Sequence, residues 1–259
     1  MPMSTLRFDE LTSPEIGAAL MSRPLVVVPC GSTEQHGPHL PTGTDYFSGL
    51  TVADRVASEV GGVVLSGFQF GVTPLHMGFP GTVTLRAETY QAVLYELVTS
   101  VAAHGATEVA FVNWHEGNIP SLAIVGARLT QEMQMNVVVA HACYVAEELY
   151  GETLGGLTHG GAIEAAAVLD FRPDLVRYDR LDTADHSPGE RSEDRARRGK
   201  AFQTILRDVR EIAPAGWYGS SERLSTSDAT AMMDAVGEVV AREVTERLDH
   251  LKRLRPQAP

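Results

Sequence analysis

The sequence predicts an α/β fold, a single-domain three-layer αβα sandwich with a mainly parallel sheet, spanning residues 1–259. Three observations predict it. Short β-rich runs alternate with helical patterns from end to end. The helices between them are long enough to serve as βαβ crossovers, which places a parallel sheet between two helical layers. No internal repeat or low-complexity segment interrupts the alternation.

The elements follow in order. The apolar run LVVVPC, Leu25 to Cys30, reads as a buried strand. Tyr46 to Val60 carries apolar residues at helical spacing and is stopped by Gly61-Gly62. VVLSG, from Val63, reads as a second strand. Ala87 to His104 reads as an amphipathic helix with Gly105 just past its end. EVAFVN, from Glu108, is a third strand and Ile119 to Gln134 the next helix. NVVVAHACY, from Asn136, reads as a fourth strand. Gly160 to Asp170 is helical and ends before Arg172-Pro173, and the last helix runs from about Asp228 to Leu254. Thr183 to Arg198 is polar and reads as a surface excursion within the domain.

Composition narrows the partners. A formal net charge of −12 repels phosphate backbones, so no nucleic acid is expected. The basic stretch RSEDRARRGK is interleaved with Glu193 and Asp194 and reads as a solvated helix face. No apolar run approaches the roughly 20 residues that span a bilayer, and MPMSTLRFDELTSPE does not read as a signal peptide. No membrane association and a cytoplasmic location are therefore expected. Cys30 and Cys143 lie in apolar contexts and read as buried free thiols.

In open α/β sheets, ligands bind beyond the carboxyl ends of the strands. Two polar clusters lie there, GSTEQHGPHLPTGTD after the first strand and NWHEGN after the third. Glu34 and His36 are two apart, so in an extended segment they point the same way. Asp45 returns nine residues later, after Pro38, Pro41 and Gly43 shape the loop. His115 follows the third strand, and Glu164 sits in the first turns of a helix. Imidazoles and carboxylates without thiolate suit Zn²⁺, Mn²⁺ or Fe²⁺. Five such side chains suffice for two divalent metal ions about 3.5–4 Å apart, sharing a bridging carboxylate and a hydroxide. Taken singly, each has a plainer reading. Glu34 and His36 can be a solvated pair, Asp45 a helix N-cap, His115 a hydrogen-bonded strand end, and Glu164 a favourable charge at a helix N-terminus.

The joint pattern resembles the creatininase family of metal-dependent amidohydrolases. Five segments carry the resemblance, in the family's order from residue 31 to about 229. They are GSTEQHGPHLPTGTD, GFPGTVTL, VNWHEGN, HGGAIEAA and GWYGSSERLSTSDA. The resemblance implies a single α/β domain, a dinuclear metal site, a homo-oligomer (commonly a hexamer) and hydrolysis of C–N bonds in cyclic or linear amides. It places Glu34, His36, Asp45 and His115 on the family's metal ligands, with Asp45 as the bridge.

The chain also departs from the pattern. Creatininase proper has a ligating Glu two residues after the histidine, where this chain has Gly117, so Glu164 is the natural supplier of the missing ligand. Glu116 stands where Tyr or Gly is usual, and Trp114 where Gly is usual. Both point away from creatinine itself. By the same resemblance His159, in THGG, is the proton donor to the leaving nitrogen, although it can instead cap the following helix. Glu116 is a second acid/base candidate, or a contact for a metal or a basic substrate group. His76 is expected to line the pocket beside Phe79, Trp114 to contact substrate, and Tyr218 to close the cavity. His39 is a candidate support for His36.

The function expected is thus a dinuclear amidohydrolase acting on a small-molecule amide through a metal-bridging hydroxide. Formamide deformylases and peptide-trimming peptidases of the same family are the near alternatives. A mononuclear non-haem iron oxygenase built on Glu34, His36 and His115 leaves Asp45 and Glu164 surplus. A non-catalytic relative would usually have lost a ligand.

Overall fold

The computed structural model describes residues 6–181 and 204–254. The expected excursion at Thr183 to Arg198 and the basic stretch beside it lie outside these residues.

Four strands form an all-parallel sheet in the order β2-β1-β3-β4. These are β1 (Leu25–Cys30), β2 (Val63–Val64), β3 (Glu108–Asn113) and β4 (Asn136–His141). The register sets Cys30 beside Asn113 and Asn113 beside His141, so three strands end level at one edge. Every residue of β1 and β3 is buried. Side chains alternate between faces along a strand, so both helical layers draw on the same two runs.

Leu25, Val27, Ala110 and Val112 face a layer containing α2 (Thr44–Val60), α5 (Ala142–Leu154), α6 (Ala162–Phe171) and α7 (Thr226–Leu254). Val26, Val28, Val109 and Phe111 face α1 (Ser13–Ser22), α3 (Ala87–Ala102) and α4 (Ile119–Glu132). The three-layer αβα sandwich is thereby realised. On α7 the buried positions Ala229, Met232, Met233, Val236, Val240, Val244 and Leu248 recur at helical spacing and seat the helix across α2 and α6. Truncating one of them, as in Met232→Ala, costs about 2–5 kcal/mol by the usual cavity penalty.

Three elements differ from expectation. β2 is only two residues, Val63–Val64, and Gly67 follows it at φ +96°. The run NVVVAHACY leaves the sheet after His141, and its tail opens α5, which the sequence pattern did not reveal. A short apolar run cannot by itself distinguish strand from buried helix. Helix α1 was also not expected, although its start is written locally: the Thr12 backbone N–H donates to the Glu15 carboxylate at 2.7 Å, with Pro14 in the first turn. Gly105 takes a positive φ of 107° after α3, as expected of a chain reversal. Cys30 and Cys143 are buried and free, and burial pushes the Cys30 thiol up to about 12. No helix among the described residues is long and apolar enough to cross a membrane.

Candidate metal centre

The level strand ends deliver two loops to one place. After β1 the chain crosses directly beneath the start of α2. A Cβ on Gly31 would lie 2.4 Å from the Tyr46 nitrogen, so only glycine permits the approach. The loop then closes on itself through the Glu34 N–H donating to the Thr42 carbonyl at 2.8 Å. It re-enters α2 with Asp45 in the first turn. Asp45 is therefore a helical residue and not the N-cap, which is Gly43. After β3, Asn113 ties down the next loop by donating to the His115 carbonyl at 2.8 Å. Asn118 links that loop to the first by donating to the Gly31 carbonyl at 2.9 Å.

The five expected donors converge and are all buried, Asp45 at 2% exposure and Glu34 at 1%. Three groupings bring ligand atoms within 4.8 Å of one another. They are Glu34 with Asp45 and His115, His36 with Asp45 and Glu164, and Glu34 with His36 and His159. Asp45 Oδ1 lies 3.2 Å from His36 Nε2, and Asp45 Oδ2 lies 3.0 Å from His115 Nδ1. Glu34 Oε2 is 3.5 Å from His115 Nδ1, and Glu164 Oε2 is 3.6 Å from His36 Nε2.

The other nitrogen of each ring decides what these contacts mean. His36 Nδ1 meets the Glu34 carbonyl at 3.1 Å, and His115 Nε2 meets the Val72 carbonyl at 3.1 Å. A carbonyl only accepts, so those nitrogens carry the protons. With those protons in place, each ring in its neutral form turns a lone pair toward the carboxylates, the form a metal ligand needs, whereas in the absence of a metal the carboxylates favour a second proton there. Glu34 Oε2 and Asp45 Oδ2 also lack an aligned hydrogen bond although both are buried. The cluster thus demands positive charge between rings and carboxylates, supplied either by protons on the imidazoles or by a divalent cation, and imidazole with carboxylate oxygen is a ligand set that fits such a cation.

The titration behaviour expresses the same demand for positive charge. Burial alone would lower His36, but Asp45 and Glu164 outweigh it and hold the ring up at about 10. Burial likewise opposes His115, which Glu34 and Asp45 raise to about 9. Asp45 would be raised by burial, yet His36 and His115 hold it well below the usual carboxylate range. Glu164 goes the other way. Burial lifts it to about 7, against the pull of His36 and with the push of Asp45. It also accepts the Gly160 N–H at 2.6 Å in the first turn of α6.

Gly117 explains why a ligand two residues past His115 has no room here. A Cβ there would lie 2.2 Å from the Val72 carbonyl oxygen and 2.5 Å from His115 Nε2, inside the hydrogen bond that orients the ring.

A cavity of about 590 Å³ opens onto the cluster. His76, Trp114, Glu116, His159 and Tyr218 are among the residues that line it. Phe79 is not. It packs behind the wall with Leu75, Val209, Ile212 and Tyr218. Its ring is covered by Arg210 at 5.9 Å, because the segment after residue 204 folds down onto residues 74–79. Glu116 is half-buried, belongs to none of the three groupings, and accepts the Tyr144 hydroxyl at 2.8 Å. His39 does not touch His36 through its Nε2; that nitrogen meets the Gly160 carbonyl at 2.8 Å and ties the first loop to the start of α6.

Several lining residues were not foreseen. Tyr144 comes from the unexpected helix α5, and Ile205, Leu206 and Arg207 come from a segment with no motif. Gln35 stands between two motif residues, and only the folded chain shows what it touches.

Fold and site define an α/β protein with buried groups of imidazole and carboxylate side chains, able to hold a metal ion, near the carboxyl ends of its parallel strands. The creatininase family profile, described as creatinine amidohydrolase, matches residues 9–244. A mycofactocin precursor peptide peptidase of Mycolicibacterium smegmatis is 31% identical over 240 residues, covering 90% of this chain and 86% of that protein. A creatinine amidohydrolase of Pseudomonas putida is 31% identical over 199 residues, covering 69% of this chain and 76% of that one. A solved creatinine amidohydrolase structure superposes with a TM-score of 0.74 at 24% identity, covering 98% of this chain and 100% of that one. The chain belongs to the creatininase family, and with it to the metal-dependent hydrolases of amide C–N bonds.

Proposed function

We propose that the protein is a dinuclear amide hydrolase, with one divalent cation held by Glu34, Asp45 and His115 and a second by His36, Asp45 and Glu164. The observation that carries this reading is the sharing of Asp45 between two buried groupings, one oxygen toward each. The related creatininases include one described as Zn-Zn type and one as Mn, which favours zinc or manganese among the candidate ions. When bound, such a pair lowers the pKa of water toward about 7 and polarises an amide carbonyl.

The remaining work falls to the chain's own residues. His159 is stacked on His36 with ring centroids 4.3 Å apart, and its Nδ1 lies 3.8 Å from Glu34 Oε1. Burial first, and then the neighbouring His36 and His76, push it well below the ordinary histidine value, so it is neutral at pH 7. Its Nε2 faces the Gln35 carbonyl at 2.7 Å, which leaves Nδ1 free to accept a proton from the attacking water and return it to the leaving nitrogen. Trp114 and Tyr218, each 2% exposed, form firm cavity walls. The cavity falls in the range of small-molecule and cofactor sites, about 300–1,000 Å³. The fuller match to a peptide peptidase, over 90% of this chain against 69% for a creatinine amidohydrolase, favours a linear amide or short peptide over a small ring as substrate.

Elemental analysis of protein loaded with zinc or manganese should give about two ions per chain, and a single ion would sink the dinuclear assignment. Creatinine, formamides and short peptides assayed in parallel would then separate the substrate classes. Hydrolysis of creatinine alone would overturn the preference for a larger amide.

A further inference from the structure

Gln35 occupies the space between two imidazoles that face the cavity. Its side-chain nitrogen lies 3.0 Å from His76 Nδ1 and 2.9 Å from His159 Nε2. His76 and His159 are themselves neighbours, with ring centroids 4.3 Å apart. All three residues are buried.

The orientation of the amide is fixed from outside the pair. The Gly37 N–H donates to Gln35 Oε1 at 3.1 Å, so the NH₂ end must face the two rings. The Gln35 backbone is held as well, its N–H donating to Thr82 Oγ1 at 3.2 Å. An NH₂ group donates and does not accept. His76 Nδ1 must therefore be the acceptor, and the proton of the neutral ring sits on Nε2. That Nε2 is 3.5 Å from Glu34 Oε1, on the cavity side. At His159 Nε2 two groups of Gln35 make opposite demands, the side-chain NH₂ at 2.9 Å as a donor and the backbone carbonyl at 2.7 Å as an acceptor; the NH₂ has His76 Nδ1 to donate to, whereas the carbonyl needs the ring proton. The His159 proton belongs on Nε2, and the ring's Nδ1 turns a lone pair toward Glu34 Oε1.

We infer that Gln35 is a positioning residue for the two imidazoles, its side-chain amide making His76 Nε2 a hydrogen-bond donor and its backbone carbonyl making His159 Nδ1 an acceptor. A donor at His76 suits the oxygen of an amide carbonyl, and an acceptor at His159 Nδ1 is what the attacking water needs, so the two tautomers together serve one hydrolytic encounter. This consequence rests on the hydrolase reading; the tautomers themselves rest only on the hydrogen bonds.

Nitrogen-15 NMR of histidine-labelled, zinc-loaded protein tests the inference without any substrate. The native protein should show His76 and His159 both protonated at Nε2. In Gln35→Glu the carboxylate accepts where the amide donated, so the His76 proton should move to Nδ1 while His159 keeps its own. In Gln35→Met, which keeps the volume and removes the amide, His76 should lose its single tautomer and show a mixture. Zinc content measured on the same samples keeps the two ideas apart, because failed zinc uptake by the native protein strikes at the metal centre and leaves the tautomers to be read. Native His76 protonated at Nδ1, or a His76 pattern unmoved in both variants, would overturn the role given to Gln35.

Discussion

The two ends of helix α6 carry buried carboxylates in opposite circumstances. Glu164, in its first turn, faces His36 and the proposed metal centre. Asp170, six residues later, receives the Arg55 guanidinium at 3.0 Å and the Thr51 hydroxyl at 2.8 Å. Arg55 also reaches Asp234 on α7 at 2.8 Å, so that cluster ties α2, α6 and α7 together. Glu108, 2% exposed at the start of β3, is likewise matched by Arg23 at 2.7 Å and Lys252 at 2.9 Å.

The contrast is instructive. Where a buried carboxylate is structural, the chain supplies its own arginine or lysine. At Glu34, Asp45 and Glu164 it supplies only imidazoles, with the ring protons of His36 and His115 spent on backbone carbonyls. An uncompensated buried charge costs several kcal/mol. The positive charge there is left to protons on the imidazoles or to a cation from solution, and the proposed metal centre is the second case.

The largest expected effect is at Asp45. Asp45→Ala should lose both ions and, with them, activity; normal metal content in that variant would abolish the distinction between the two ends of α6. Chelation of the native protein should lower its melting temperature, since ions present at 100 times their Kd stabilise by about 2.7 kcal/mol per site. The Asp45 variant should be indifferent to chelator, and an equal shift in both would place the stabilising ions elsewhere.

His159→Ala should keep its metal and lose about 10²–10⁴ in turnover, the range for general acid–base groups. An unaltered rate would remove the ring from the chemistry. At the other end of the helix, Asp170→Ala should cost about 1–3 kcal/mol in denaturant unfolding, at the low end because Arg55 retains Asp234. Its metal content should not change, and a loss of metal there would show that the two clusters are not independent. The smallest effect belongs to Arg23→Ala, about 1 kcal/mol, because Lys252 still faces Glu108.

Much of this was legible beforehand, for identifiable reasons. The apolar runs at Leu25 and Glu108 and the helix-spaced residues of α7 report their own surroundings, since burial and periodicity are local properties of a chain. Glu34, His36, Asp45 and His115 could be picked out because they directly follow strands, and parallel strands end together. Glu164 was a candidate from its place at a helix start, and the family pattern, given Gly117, added the reason to expect a ligand there. Phe79 was misplaced because a loop's aromatic gives no sign of which side of the wall it will pack on. Tyr144 was hidden by an apolar run that fits strand or helix equally well.

What the sequence determined by itself is the parallel α/β framework and the supply of imidazole and carboxylate groups at its active edge. What only the tertiary structure decided is which nitrogen of each ring faces inward, which carboxylates go without a cation from the chain, and which residues wall the cavity. Hydrophobic periodicity is written over a few neighbouring residues. Charge compensation and ring orientation depend instead on partners such as Val72 for His115 or Arg55 for Asp170, more than 40 positions apart, which meet only when the sheet and its helices have closed.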